Sequence, residues 1–198
     1  MSEISFAKII SNFVIMRIYY ITQGNLLNLD KIPHGEAPNA VNAVIEIPYG
    51  SNVKYEIDKD SGAVFVDRVM HCAMYYPANY GFIPNTLAGD NDPIDILVLN
   101  EYPLQAGSVI KSRIIGVLIM EDESGMDEKL LAVPADKVDP AYKDIKDHND
   151  LPQITKDRIK HFFERYKDLE PNKWVKVKDF EGLEKATKLV QESIANYK

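Results

Sequence analysis

Three aspartates lie within six residues of one another in the segment Gly89-Asp90-Asn91-Asp92-Pro93-Ile94-Asp95. Carboxylates this close raise each other's pKa and repel one another, unless a cation lies among them. Pro93 stiffens the backbone just before the apolar run 96–99, so the aspartates are predicted at the start of a strand. The spacing therefore predicts a metal site, and a solvated acidic turn is the alternative for the triplet alone.

A second acidic segment, 121–129, follows about thirty residues later and lies between the apolar runs 117–120 and 130–133. If both acidic segments are turns at the same end of a sheet, Asp122 and Asp127 lie close to the first three aspartates. The sequence then predicts five carboxylates around one site.

The ligand types restrict the metal. An EF-hand is rejected, because Asp95 stands where its loop requires glycine and the neighbouring ligand positions are apolar. Zinc is disfavoured, because Cys72 is the single cysteine and the four histidines show no paired ligand spacing. A site of oxygen ligands alone indicates Mg²⁺ or Mn²⁺.

Basic and aromatic residues that could bind phosphate are spread along the chain, several of them on predicted strands. Lys54 and Glu56 share one face of a predicted strand at 53–58, and Arg68 lies near the end of the next strand, 63–69. Lys129, the pair Tyr166-Lys167 and the aromatic segment 75–82 extend this set. Taken singly, each base is more often a solvated charge and each tyrosine more often a core residue.

The hydrophobic pattern predicts an α+β protein in which strands dominate. Strands are predicted at 41–47, 53–58, 63–69, 94–99, 108–120, 129–133 and 173–178, and helices at 152–168 and 183–196.

Composition places the chain among compact single domains, with 198 residues, of which 45% are hydrophobic and 27% charged. The net charge of −7 argues against nucleic-acid binding, which needs a basic surface. Lone Cys72 suits the reducing cytoplasm.

Residues 1–25 are apolar, but Lys8 and Arg17 interrupt them, so no membrane span is predicted. These residues are expected to form an extra helix, or to result from a start codon assigned upstream of the true one. In the second case Met16 is an alternative start.

The chain resembles the soluble family I inorganic pyrophosphatases from about Val41 to its end. The matching segments are 46–48, 54–56, 66–68, 76–81, 90–95, 121–129 and 161–169. The D-x-D-P-x-D signature and the collinear order of the segments make the resemblance specific. It implies a single domain over 26–198, preceded by an extension over 1–25.

The resemblance implies a five-stranded OB-like β-barrel with flanking helices, and Mg²⁺-dependent hydrolysis of pyrophosphate to two orthophosphates by metal-activated water. Several Mg²⁺ ions are expected per site, with Mn²⁺ as a substitute, in a cytoplasmic homohexamer. Asp92 is the expected general base. The expected metal ligands are Asp90, Asp95, Asp122, Asp127 and Glu46. The expected phosphate ligands are Lys54, Arg68, Tyr80, Lys129, Tyr166 and Lys167, supported by Glu56 and Tyr76.

Two other classes of function stay open at this stage. An OB-like barrel could hold single-stranded nucleic acid or a nucleotide on its aromatic residues, against which the acidic clusters count. A storage protein could bind divalent cations without turnover. Nucleotide hydrolysis by a P-loop is disfavoured, because the chain contains no G-x-x-x-x-G-K-[ST] segment.

Overall fold

The computed structural model describes residues 28–197. The predicted extension 1–25 and Met16 lie outside the described residues. Within 28–197, no helix has the length and apolar character that crossing a membrane requires. The strands are β1 (Gly35–Glu36), β2 (Ala40–Ile47), β3 (Val53–Ile57), β4 (Val64–Val69), β5 (Asn79–Phe82), β6 (Asp95–Val98), β7 (Val109–Asp122), β8 (Gly125–Met126), β9 (Lys129–Pro134) and β10 (Val175–Glu181), and the helices are α1 (Gln153–Arg165) and α2 (Leu183–Asn196).

Five strands pair in a closed ring. β2 pairs with β5, β5 with β6, β6 with β9, β9 with β7, and β7 returns to β2. All of these pairings are antiparallel except β6 with β9, which is parallel. With 14 residues, β7 is long enough to pair with β8 and β10 as well. This closed sheet with two helices confirms the predicted β-dominated α+β class and the five-stranded arrangement.

Both faces of the sheet are apolar, because each helix covers a different one. Ile159 and Phe162 of α1 pack in one cluster with Leu97, whereas Val190 of α2 packs in the other cluster with Ile96. A strand buried on both sides reads as a continuous apolar run rather than an alternating one. The run 96–99 has this pattern for that reason.

The two helices follow the predicted apolar spacing with different accuracy. The range of α2 agrees with the prediction, but α1 ends at Arg165, three residues earlier than predicted. The chain after α1 turns instead, and the Glu170 N–H donates to the Lys167 carbonyl at 2.8 Å. This turn redirects the chain toward β10.

Strands β3 and β4 form a separate two-stranded hairpin. Its register sets Lys54 opposite Arg68, so the two bases lie side by side. Phe65 and Val66 of β4 are exposed. The hairpin therefore contributes charged side chains to its surroundings and little to the core.

Strand β5 is absent from the strands that the sequence predicts. Asn79 and Gly81 are rare in strands, so the pattern there favours a loop. In the structure, β5 lies so close to β2 that a Cβ atom on Gly81 would stand 1.8 Å from the Val44 carbonyl oxygen. Glycine is therefore required at this position, and the close approach fixes the backbone of neighbouring Tyr80.

Candidate active site

The ends of β6, β7 and β9 bring the two acidic segments together. Asp95 is the first residue of β6, and the parallel register sets it opposite Lys129, the first residue of β9. Asp122 ends β7, and Asp127 lies in the short connection between β8 and β9. Residues about thirty positions apart in the sequence are thus neighbours in the fold.

A cavity of about 230 Å³ lies between the β3–β4 hairpin and the main sheet. Its volume is below the roughly 300–1,000 Å³ of pockets for drug-sized ligands, so it suits a small ligand. Seven of the predicted site residues line it: Glu46, Lys54, Glu56, Tyr80, Asp90, Asp92 and Asp95. The remaining lining residues are Ile57, Lys59, Phe82 and Pro93.

Lys129 is buried between two of the predicted metal ligands. Its Nζ lies 2.5 Å from Asp95 Oδ2 and also contacts Asp127 Oδ1, while the Tyr80 ring centroid is 5.7 Å away. Burial by itself lowers the pKa of Lys129, but the two carboxylates outweigh it and raise that pKa. Burial also raises the pKa of Asp127, although Lys129 opposes this effect. The ammonium therefore balances negative charge that burial makes costly.

A second buried ion pair joins Lys167 to Asp122, with Nζ 2.8 Å from Oδ2. The Lys167 Nζ is also 3.5 Å from Glu123 Oε1 and 5.6 Å from the Tyr166 ring centroid. Burial raises the pKa of Tyr166, and the charges of Asp127, Asp122 and Asp95 raise it further.

The charge of Glu46 and of Asp90 is also disfavoured by burial. Burial raises the pKa of Glu46 to about 7, although its Oε1 accepts a hydrogen bond from the Ile57 N–H at 2.9 Å. Burial raises the pKa of Asp90, whose Oδ1 accepts from the Asp92 N–H at 3.1 Å. A cation in this cavity would favour the charged form of both groups.

The two bases of the hairpin are held by carboxylates. Lys54 contacts Glu56 and lies 3.4 Å from Asp67 Oδ2. Arg68 Nη1 is 2.5 Å from Asp67 Oδ2, and its Nε donates to Glu170 Oε1 at 3.1 Å.

Tyr76 lies behind the cavity, where its ring packs against both Tyr80 and Phe162 at centroid distances of 5.6 and 4.8 Å. It is 3% exposed and belongs to the cluster under α1. Its place in the core fits the supporting role expected for it.

The five predicted metal ligands form an all-oxygen donor set, which suits a hard divalent cation such as Mg²⁺. Across residues 28–197, however, no group of three or more acidic, histidine or cysteine side chains is arranged to hold a metal ion. Lys129 and Lys167 form direct ion pairs with three of the five, Asp95, Asp127 and Asp122. The donor types fit the metal, and the two lysines neutralise part of their charge.

Several charged residues at the site have no role in the sequence-based prediction. Lys59, in the turn between β3 and β4, has its Nζ 2.5 Å from Asp92 Oδ1. Asp67, Glu123 and Glu170 pair with the predicted phosphate ligands Arg68 and Lys167. Asp67 and Glu123 lie inside the matched segments 66–68 and 121–129, which is the only signal the sequence offers. Lys59 and Glu170 reach their partners through tertiary contacts alone.

Known proteins resemble this chain over most of its length. A family model for inorganic pyrophosphatase matches residues 43–198. The inorganic pyrophosphatase of Campylobacter jejuni is 68% identical over 172 residues, which are 87% of this chain and 100% of that protein. The solved structure of the inorganic pyrophosphatase of Helicobacter pylori is 58% identical, with a TM-score of 0.83 over 84% of this chain and 98% of that one. That of Thermus thermophilus is 48% identical, with a TM-score of 0.82 over 86% and 98%.

Proposed function

Because the chain belongs to the inorganic pyrophosphatase family and is an inorganic diphosphatase, we propose that it hydrolyses pyrophosphate in an Mg²⁺-dependent reaction by direct attack of metal-activated water. The observation that carries this mechanism is the cavity that Asp90, Asp92, Asp95 and Lys54 line together. Carboxylates for a metal and a base for phosphate oxygens then border the same space of about 230 Å³.

Asp90, Asp95, Asp122, Asp127 and Glu46 would hold the metal ions. When bound, Mg²⁺ or Mn²⁺ lowers the pKa of a water molecule and polarises phosphoryl oxygens. Burial raises the pKa of Glu46, Asp90 and Asp127, so it disfavours their charged forms. A bound cation would stabilise those charged forms.

Asp92 is the general base. Its side chain is 67% exposed and lines the cavity, so the attacking water can reach it. It would accept the proton of that water as the new bond to phosphorus forms and the bond from phosphorus to the bridging oxygen breaks, which releases the second orthophosphate. This role typically contributes 10²–10⁴-fold in rate. No serine, cysteine or histidine nucleophile is needed, because the attacking group is the water itself.

The bases and tyrosines hold the two phosphates. Lys54 and Arg68 approach from the hairpin, and Lys129 and Lys167 from the main sheet and the segment after α1. Each ammonium or guanidinium that contacts a phosphate oxygen offsets charge that grows on the leaving group, and such a preplaced donor contributes about 2.7–4 kcal/mol in measured cases. The hydroxyls of Tyr80 and Tyr166 add hydrogen bonds. Glu56 holds Lys54, and Tyr76 supports Tyr80.

The test is release of orthophosphate from pyrophosphate and from ATP, each with Mg²⁺ and with a chelator. We expect faster release from pyrophosphate than from ATP with Mg²⁺, because a cavity of about 230 Å³ suits a ligand as small as pyrophosphate and is too small for a whole nucleotide. Chelation should abolish it. Equal rates on the two substrates, or full activity in chelator, would contradict the proposal. A storage protein would bind the metal and release no phosphate.

Removal of residues 1–25 should leave the specific activity largely intact, since each residue assigned to the site lies at Glu46 or beyond. The measurement compares turnover per folded protein for the truncated and full-length chains, with folding checked by circular dichroism and thermal melting. A truncated chain that melts like the full-length protein but has lost most of its turnover would show that the extension belongs to the functional unit.

A homohexamer in the cytoplasm stays a prediction. Light scattering coupled to gel filtration would give the mass of the assembly, and the same measurement on the truncated chain would show whether residues 1–25 contribute to it.

A further inference from the structure

Glu170 holds the guanidinium of Arg68 through a contact that spans 102 positions of the sequence. The Glu170 side chain is 8% exposed and that of Arg68 is 26% exposed, so this ion pair is shielded from water. The distance from Arg68 Nε to Glu170 Oε1 is 3.1 Å, within the normal range for a charge-assisted hydrogen bond. An ionised pair with this burial is held in one geometry, unlike a pair at the surface.

The contact joins two separate parts of the fold. Arg68 belongs to the β3–β4 hairpin, which forms its own two-stranded sheet. Glu170 belongs to the turn after α1, and its N–H donates to the carbonyl of Lys167. The same turn therefore points Lys167 at Asp122 and Glu170 at Arg68.

The geometry also determines which end of Arg68 is free. Glu170 accepts from Nε and Asp67 accepts from Nη1, so carboxylates on two different sides hold the guanidinium. A guanidinium presents its N–H groups in a rigid planar fork, so holding two of its nitrogens fixes the direction of the third. Within residues 28–197, Nη2 makes no hydrogen bond to another side chain or to the backbone, which leaves its N–H groups for a phosphate oxygen.

We propose that Glu170 is a positioning residue, which orients Arg68 so that its remaining N–H groups meet a phosphate of the substrate. This inference rests on the proposed function, in which Arg68 is a phosphate ligand. Glu170 itself touches neither substrate nor metal. Its effect is to hold in advance a cation that would otherwise move with the exposed hairpin, and small displacements of such groups can be costly in rate.

The test is a double-mutant cycle on the full-length chain with Mg²⁺, in which kcat and KM for pyrophosphate are measured for the wild type, E170A, R68A and the double variant. We expect E170A to raise KM roughly 10-fold with a smaller change in kcat, on the scale of misplaced binding groups. In the R68A background, E170A should add less than about a twofold change, because coupled residues are not additive.

Two further variants keep the test decisive. E170Q retains an oxygen that can accept from Arg68 Nε, so it should recover most of the loss seen in E170A. Should E170A not fold, E170L replaces it in the two backgrounds, because leucine fills much of the same space but cannot accept from Arg68 Nε. The matched control is D168N, since Asp168 lies two residues earlier and faces Arg165 at 3.6 Å in an exposed pair. It should keep the wild-type KM.

The outcomes distinguish the positioning role of Glu170 from the proposed function of the protein. A wild-type KM for E170A, or an equal effect of E170A with and without Arg68, overturns the positioning role and leaves the proposed function standing. A wild-type KM for R68A overturns both the role of Arg68 as a phosphate ligand and the positioning of it by Glu170.

Discussion

Substitution of Asp92 by asparagine should lower turnover by roughly 10²-fold or more, which is the usual scale for removal of a general base. Asparagine keeps the shape of the side chain but cannot take a proton from water. Asp92 is the member of the triplet assigned this role, because Asp90 and Asp95 on either side are the proposed metal ligands. The measurement is kcat at saturating pyrophosphate over a series of Mg²⁺ concentrations.

The matched control is Asp95→Asn, three residues away in the same segment. It should weaken the affinity for Mg²⁺ as well as the rate, because it removes a ligand and a partner of Lys129. D92N should leave the Mg²⁺ dependence close to that of the wild type. If both variants show the same Mg²⁺ dependence, or if D92N turns over normally, the division of roles between the two aspartates is wrong.

Substitution of Lys129 by methionine should affect stability and activity together. The Lys129 side chain is 4% exposed and contacts both Asp95 and Asp127, so its loss leaves two partly buried carboxylates without their cation. Breaking a buried pair from one side typically costs about 3–5 kcal/mol, so we expect a loss of unfolding free energy of that size in chelator. Turnover should fall by about 10²–10³-fold, as when a preplaced donor to the transition state is removed.

Added Mg²⁺ distinguishes this effect from a simple packing defect. A cation that binds only the folded state stabilises it by mass action, so K129M should regain more stability from Mg²⁺ than the wild type does. Denaturant unfolding with Mg²⁺ and with chelator measures both quantities. The control is K173M, because Lys173 pairs with Glu123 but is 45% exposed, and such pairs contribute about 1 kcal/mol or less. Equal responses of K129M and the wild type to Mg²⁺ would show that the lost stability does not come from the uncompensated charges of Asp95 and Asp127.

The fold could be predicted where local pattern determines structure. The strand at 53–58 and the helix at 183–196 have regular apolar spacing, and both agree with the structure to within a residue. The failure at β5 has a physical cause, because Gly81 is required by the close approach of β2, and nothing near it in the sequence reveals that contact. The end of α1 was also missed, since the apolar spacing through Tyr166 continues after the helical hydrogen bonding has given way to a turn.

For the candidate site too, local sequence predicts some features, whereas others depend on contacts between distant residues. The aspartate triplet could be identified from the sequence because three carboxylates within six residues are costly without a cation. The partners of the site residues could not, because contacts such as Lys59 with Asp92 join residues 33 positions apart. The ion pairs of Lys129 and Lys167 with the aspartates could not be predicted either, since they depend on how the starts of β6 and β9 meet the end of β7 in the fold.

Activity depends on one step of folding, which is the pairing of β6 with β9 in the correct parallel register. Asp95 and Lys129 are 34 positions apart, and their contact exists only in the native register of these strands. A slip of one residue would turn the Lys129 side chain to the opposite face and present Leu130 instead. Pairings between strands so distant in the chain form slowly, because the loop between them must close first. Recovered turnover during refolding therefore reports correct strand alignment, whereas a circular dichroism signal reports only that strands have formed.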